Sequence, residues 1–160
     1  MNLFYVSLGS NINPLNNLLS AIDSLKTLFT HEQCSPIYKS DSVGFQGPAF
    51  FNAVIGLKTE ASITHVLASL KTIEQQHGRR RIEEKFSDRT LDLDLLLFNQ
   101  MTTQQPCTLP HPEILTQAYV LKPLVDIAPH LKHPTQHVTI QALWATFSTS
   151  TQLEHIPLPG

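Results

Sequence analysis

The run Leu91-Asp92-Leu93-Asp94-Leu95-Leu96-Leu97-Phe98 restricts the fold more than any other part of the chain. Side chains alternate faces along a strand, so Leu91, Leu93, Leu95 and Leu97 share one face, and Asp92, Asp94, Leu96 and Phe98 share the other. Both faces are largely apolar, which reads as a central strand covered by further layers on its two sides. The aspartates are the exception. Strand geometry puts their Cα atoms roughly 6.6 Å apart, and carboxylates held that close repel unless a cation lies between them. Mg²⁺ takes one or two protein carboxylates and completes its octahedron with water and phosphate oxygens.

All four arginines of the chain fall between Arg79 and Arg89, immediately before this strand. Guanidinium groups are always charged and fork-shaped, which suits phosphate oxygens that a metal leaves uncompensated. Either feature alone is ordinary on a solvated surface. A cationic segment that leads straight into paired acids points to metal-assisted phosphoryl or nucleotidyl chemistry.

At 160 residues the chain is expected to form one domain, residues 1–160, with a loosely docked tail over 150–160. A net charge of −2 argues against a general binder of nucleic acid or anionic membrane, because the basic charge is local. Cys34 and Cys107 are too few for a disulfide framework and match no zinc spacing, so both read as free thiols. Pro129 and Pro134 interrupt any helix that would align His130, His133 and His137 as a metal cluster. No apolar run approaches membrane-spanning length, and the first basic residue is Lys26, so a cytoplasmic location is expected.

The order of elements is strand, helix, strand, strand, helix, strand. Phe4 to Leu8 reads as a buried strand, Gly9-Ser10-Asn11 as a turn, and Pro14 as the first position of a helix carrying Leu15, Leu18, Leu19, Ile22, Leu25, Leu28 and Phe29 at helical spacing. Cys34 to Ser40 and Phe51 to Lys58 read as strands, joined by a mobile loop containing Gly44, Gly47 and Pro48. Ile63, Val66, Leu67, Leu70 and Ile73 mark a second helix that should stop at Gly78. With right-handed crossovers this predicts an α+β, ferredoxin-like βαββαβ sandwich with a four-stranded, mostly antiparallel sheet. Pro110-His111-Pro112-Glu113 should open a short helix, and Ile140, Leu143, Trp144 and Phe147 mark another, available to cover the second face.

Ser7-Leu8-Gly9-Ser10-Asn11, Phe51-Asn52-Ala53, Arg89-Thr90-Leu91-Asp92-Leu93-Asp94 and Leu109-Pro110-His111-Pro112 together resemble one family, the 6-hydroxymethyl-7,8-dihydropterin pyrophosphokinases of folate biosynthesis. The resemblance implies transfer of pyrophosphate from ATP to a reduced pterin, with release of AMP. It implies that Asp92 and Asp94 hold two Mg²⁺ ions and that Arg79, Arg81, Lys85, Arg89 and His111 meet the phosphates, with Arg81 and Arg89 closest to catalysis. Lys71 and Glu74 fall on positions used around the nucleotide, and Leu95 and Thr108 border adenine and ribose. For the pterin it implies Asn52, Ser40, Asp41 and Val43 as readers of the ring edge, and Phe50 and Tyr119 as the aromatic sandwich. ATP and the pterin are the expected partners of a monomer that binds neither nucleic acid nor membrane.

Some positions depart from the family pattern. Ser87-Asp88 precede Arg89, which places a negative charge beside a phosphate site and predicts weaker ATP affinity; Gln117 and Pro106 stand where basic residues are frequent, and Phe86 where tryptophan is common. A non-catalytic or weakened pterin- or nucleotide-binding relative is therefore the alternative, although a dead copy has no need of two adjacent acids. Polymerase-type nucleotidyl transfer is disfavoured, because Gly9-Ser10 lies far upstream of Asp92. An RNA-binding module of the same fold would carry a Lys/Arg-Gly-Phe pattern that this chain lacks.

Overall fold

The computed structural model describes residues 1–40, 48–78, 91–148 and 153–156. Its centre is strand β1 (Asn2–Ser10), hydrogen-bonded on one side to β4 (Phe50–Thr59) and on the other to β5 (Asp92–Phe98). Beyond β4 come β2 (Thr30–Cys34) and β3 (Ile37–Ser40), and β3 pairs in turn with β6 (Glu154–Ile156). Among the described residues the sheet thus has six strands in the order β5-β1-β4-β3-β6, with β2 also on β4, and these pairings are antiparallel.

Two helices cover one face. Helix α1 (Pro14–Leu28) starts after Asn13 in the left-handed conformation, with Pro14 in its first turn, and buries Leu18, Ala21, Ile22 and Leu25. Helix α2 (Ile63–Gln76) is capped by the Ser62 hydroxyl, which accepts from the His65 N–H, and buries Val66, Leu70 and Ile73. It ends two residues earlier than the glycine signal suggests, and Gly78 takes the left-handed φ of 87° just beyond. The core here includes Phe4, Val6, Leu8, Leu93, Leu95 and Phe98.

The opposite face is covered by α3 (Ala118–Ile127) and α4 (Ile140–Thr146), over Tyr5, Val54, Leu96 and Leu97. Helix α3 was not expected, since Pro123 lies in its interior and lacks the N–H that a helix uses. Burial of Ala118, Val120, Leu121, Leu124 and Val125 against the sheet outweighs that loss. The short helix expected after Pro110 is a single 3₁₀ turn, Pro112–Ile114. On α3, Asp126 accepts the Tyr38 hydroxyl, and Lys122 Nζ donates to its other oxygen at 2.6 Å.

Four expectations need correction. The stretch from Cys34 to Ser40 is not one strand, because Pro36 has no N–H to give a neighbour. Ser35 bridges the break: its N–H donates to the Val54 carbonyl and its Oγ accepts from the Val54 N–H, both at 2.9 Å. Gly9 and Ser10 belong to β1 rather than to a turn. The Asp-bearing strand is an edge strand of a six-stranded sheet, not a central strand of four. Its simple alternation also fails, since the register with β1 slips between Tyr5 and Val6, where Tyr5 faces Leu97 and Val6 faces Leu95. The extra residue, Leu96, forms a bulge. Leu96 and Leu97 therefore both join the α3 side, and Phe98 joins Leu95 on the α1 side. Within the predicted loose tail, Glu154–Ile156 adds a strand to the β3 edge.

Candidate active site

Cross-strand register assembles the site. Tyr38 lies opposite Asn52, Asn52 opposite Gly9, and Gly9 opposite Asp92, while one row further along Val54, Ser7 and Asp94 are aligned. Residues aligned across antiparallel strands point to one face. Asn52, Asp92 and Asp94 therefore share the α3 face of the sheet, as does Phe50, two residues from Asn52 and opposite Ser40.

The Asn52 side chain is buried, and its Oδ1 accepts from the Ser40 hydroxyl at 3.3 Å. Its amide nitrogen occupies the space above Gly9: a Cβ there would lie 3.0 Å from Asn52 Nδ2. Nearby, Asn11 Nδ2 donates to the Pro48 carbonyl at 3.3 Å, tying the end of β1 to the segment that leads into β4.

The bulge serves the acidic end. It turns the Leu96 carbonyl to accept the His111 N–H at 2.9 Å, which draws the Leu109-to-Ile114 segment onto β5. His111 Nδ1 then accepts from the Glu113 N–H at 3.1 Å. With Nδ1 acting as acceptor, a neutral imidazole carries its proton on Nε2. Burial lowers the His111 pKa below the ordinary histidine value, while the Glu113 and Asp92 carboxylates oppose that shift. Neutral His111 is thus a hydrogen-bond donor through Nε2.

Glu113 is the residue that sequence reasoning missed. An acid in the first turn of a helix normally reads as a complement to the helix dipole, which hid it. Its Oε2 accepts the Tyr119 hydroxyl at 3.0 Å. Burial first, then the Glu113 charge and hydrogen bond, and lastly Asp94 and Asp92, push the Tyr119 phenol above its usual range. Among the described residues, Asp94, His111 and Glu113 each offer one potential ligand atom within 4.8 Å of the others. Because His111 Nδ1 is engaged and Nε2 holds the proton, the histidine is a poor ligand as it stands. The two aspartates of β5, aligned on one face of the sheet, offer oxygen donors only, which fits a hard cation such as Mg²⁺.

Other candidates are placed differently. The Glu74 carboxylate accepts the Leu93 N–H at 2.8 Å, and so covers the outer edge of β5 between the two aspartates. Lys71 is exposed on α2, and Thr108 is exposed just before the Leu109 bridge to Thr103. Leu95 is buried on the α1 face, away from the acids, so its side chain is not part of this cluster. Asp41, Val43, Arg79, Arg81, Lys85 and Arg89 lie outside the described residues, as do Phe86, Ser87 and Asp88. At the foot of the arginine segment, His77 bonds through Nδ1 to the Ile73 carbonyl at 2.7 Å and through Nε2 to Ser20 Oγ at 2.9 Å, joining α2 to α1.

Comparison with known proteins adds an independent finding. The family profile described as 7,8-dihydro-6-hydroxymethylpterin-pyrophosphokinase (HPPK) matches residues 5–129. A 2-amino-4-hydroxy-6-hydroxymethyldihydropteridine pyrophosphokinase of Synechocystis is 39% identical over 139 residues, covering 84% of this chain and 71% of its own. The protein of the same name from Haemophilus influenzae is 37% identical over 139 residues, covering 84% of this chain and 86% of its own. A crystal structure of Plasmodium falciparum HPPK-DHPS superposes with a TM-score of 0.67 at 14% identity, over 91% of this chain and 43% of that one, and so speaks for the fold alone.

Proposed function

The chain belongs to the 7,8-dihydro-6-hydroxymethylpterin-pyrophosphokinase family, and on that premise we propose that it transfers the pyrophosphoryl group of ATP to the hydroxymethyl group of 6-hydroxymethyl-7,8-dihydropterin in folate synthesis. The observation that carries this reading is the aligned row Asn52, Gly9, Asp92, which sets an amide able to read a pterin edge two strands from an acid pair on one face.

The hydroxyl oxygen attacks the β-phosphorus, the bond from that phosphorus to the oxygen shared with the α-phosphate breaks, AMP leaves, and the hydroxyl proton passes to solvent. Mg²⁺ held by Asp92 and Asp94, two ions in this proposal, would supply charge neutralisation along the triphosphate and a more acidic hydroxyl. The chain does the rest by positioning. His111 donates through Nε2 to a phosphate oxygen, and Arg79, Arg81, Lys85 and Arg89 grip the remainder of the anion, with Lys71, Glu74, Leu95 and Thr108 around the nucleoside. Asn52 and Ser40, with Asp41 and Val43, read the pterin edge, while Phe50 and Tyr119 stack on its faces.

The β1-α1-β2/β3-β4-α2-β5 order supports a ferredoxin-like core to which β6, α3 and α4 are added. No helix among the described residues is long and apolar enough to cross a membrane. We take the enzyme to act as a cytoplasmic monomer. The test is direct: purified protein is mixed with MgATP and the reduced pterin alcohol, and the products are separated. AMP and pterin diphosphate in equal amounts are expected. ADP or free pyrophosphate as the product, or binding without turnover, would overturn the assignment.

A further inference from the structure

We propose that Glu113 is a positioning residue that holds the Tyr119 ring for the pterin, and that it is bound into the phosphate side of the same site. This rests on the reading of Tyr119 as a pterin-stacking residue. A third carboxylate beside Asp94 adds like charge to a site that already concentrates it, a cost that calls for a return. The return is visible in its contacts. The carboxylate accepts the Tyr119 hydroxyl at 3.0 Å, a charge-assisted bond that fixes the far end of a ring whose near end is anchored in the first turn of α3. The backbone of the same residue donates to His111 Nδ1 at 3.1 Å and accepts from the Gln117 N–H at 2.9 Å, where α3 begins. Glu113 is therefore the joint between the Nε2–H donor facing phosphate and the aromatic facing pterin. A ring free to swing would have to be ordered each time the pterin binds, and that ordering is set in advance here.

The experiment titrates fluorescent 6-hydroxymethylpterin into protein saturated with Mg²⁺ and a non-hydrolysable α,β-methylene ATP analogue, and separately titrates that analogue alone. Variants are Glu113→Ala, Glu113→Gln, Tyr119→Phe, Tyr119→Ala and the double variant Glu113→Ala/Tyr119→Phe. The two single truncations, Glu113→Ala and Tyr119→Phe, are each expected to weaken pterin binding about tenfold, the lower end for a hydrogen bond to a charged group. The double variant should be no weaker than either single, because both remove one bond. Glu113→Gln, which keeps an acceptor oxygen, should recover most of the loss, and affinity for the nucleotide analogue should change less than affinity for the pterin. Additive losses, or a nucleotide loss larger than the pterin loss, would overturn the link. If Tyr119→Ala binds pterin normally, the stacking reading itself fails and this proposal with it. If Tyr119→Ala loses pterin and Glu113→Ala does not, only the role given to Glu113 is refuted. Tyr119→Phe keeps the ring and its packing, so its comparison with Glu113→Gln decides the matter even where Glu113→Ala does not fold.

Discussion

Replacing Gly9 by alanine is the sharpest test of the proposed pterin pocket. The added Cβ would sit 3.0 Å from Asn52 Nδ2, nearer than a methyl group normally approaches nitrogen. Gly9 cannot retreat easily, being aligned with Asn52 on one side and Asp92 on the other, so the Asn52 amide has to give by a few tenths of an ångström. Its Oδ1 is held by the Ser40 hydroxyl at 3.3 Å, and the amide can move only by leaving its rotamer well or stretching that bond. An off-rotamer side chain costs about 0.5–1.5 kcal/mol, and losing a buried hydrogen bond to the ligand costs about 1–3 kcal/mol. Pterin affinity is therefore expected to fall by about ten- to a hundredfold, at 1.4 kcal/mol per decade. The effect on folding is much smaller, because alanine in an extended segment recovers about 0.4–1 kcal/mol of unfolded-state entropy, which offsets the crowding. Fluorescence titration of the pterin, calorimetric titration of the nucleotide analogue and a thermal melt together give the answer. A large pterin loss with nucleotide affinity and Tm nearly unchanged is expected. Unchanged pterin binding would show that Asn52 does not read the ring or that β1 yields, and equal loss of both ligands would point to backbone damage instead.

Asp92→Asn and Asp94→Asn should each reduce turnover by at least about a hundredfold while leaving the melt within a few degrees of the parent, since each removes charge proposed to hold Mg²⁺ but no core packing; near-normal rates would count against the metal assignment. Tyr38→Phe removes a buried hydroxyl from the Asp126 carboxylate and should cost about 1.5–3 kcal/mol in urea unfolding at pH 7, the range for a hydrogen bond to a charged group. Burial, followed by the Asp126 hydrogen bond and charge, pushes the Tyr38 phenol up. The unfolded chain thus releases that proton first, and the stability from Tyr38 is present below about pH 10 and lost as pH climbs beyond it. The gap between parent and Tyr38→Phe should narrow in alkali, and a constant gap to pH 11 would contradict the contact. His133 is buried, its Nδ1 accepts the Thr135 and Gln136 N–H groups at 3.2 Å each, and its Nε2 has no partner among the described residues. Burial, and after it His137, lowers its pKa, so the unfolded state takes up the proton first and stability should decline as pH falls below about 6.5. Melts between pH 8 and 5 should show a shallower decline for His133→Gln, and parallel curves would speak against it.

Local sequence was a good guide wherever one periodicity held for several turns or residues. The apolar spacing from Leu15 to Phe29 located α1, Pro14 marked its start, and the helical set around Val66 and Leu70 located α2. Both acids of β5 were legible because alternation survives from Leu91 to Leu95. It breaks at Leu96, since a bulge is decided by the partner strand and by the His111 N–H, neither of which the local pattern encodes. The Ser35 bridge was hidden for the same reason, because its worth depends on Val54 across the sheet. Helix α3 was obscured by Pro123, whose local penalty is overridden by tertiary burial. At the proposed site, Asn52, Asp92, Asp94, His111 and Tyr119 could be singled out in advance. Gly9 and Glu113 could not, as each acts through a neighbour distant in the chain or through a contact that resembles ordinary capping.

The row that runs from Asn52 through Gly9 to Asp92 behaves as a ruler. Neighbouring strands keep a spacing of about 4.8 Å, so the span from the Asn52 backbone to that of Asp92 is fixed near ~10 Å by strand pairing alone. Segments outside the sheet can vary in length and composition without altering that span. On the proposed reading, the separation of the pterin-reading amide from the metal-holding acids is thus written into the sheet itself, and adaptation is left to its rim.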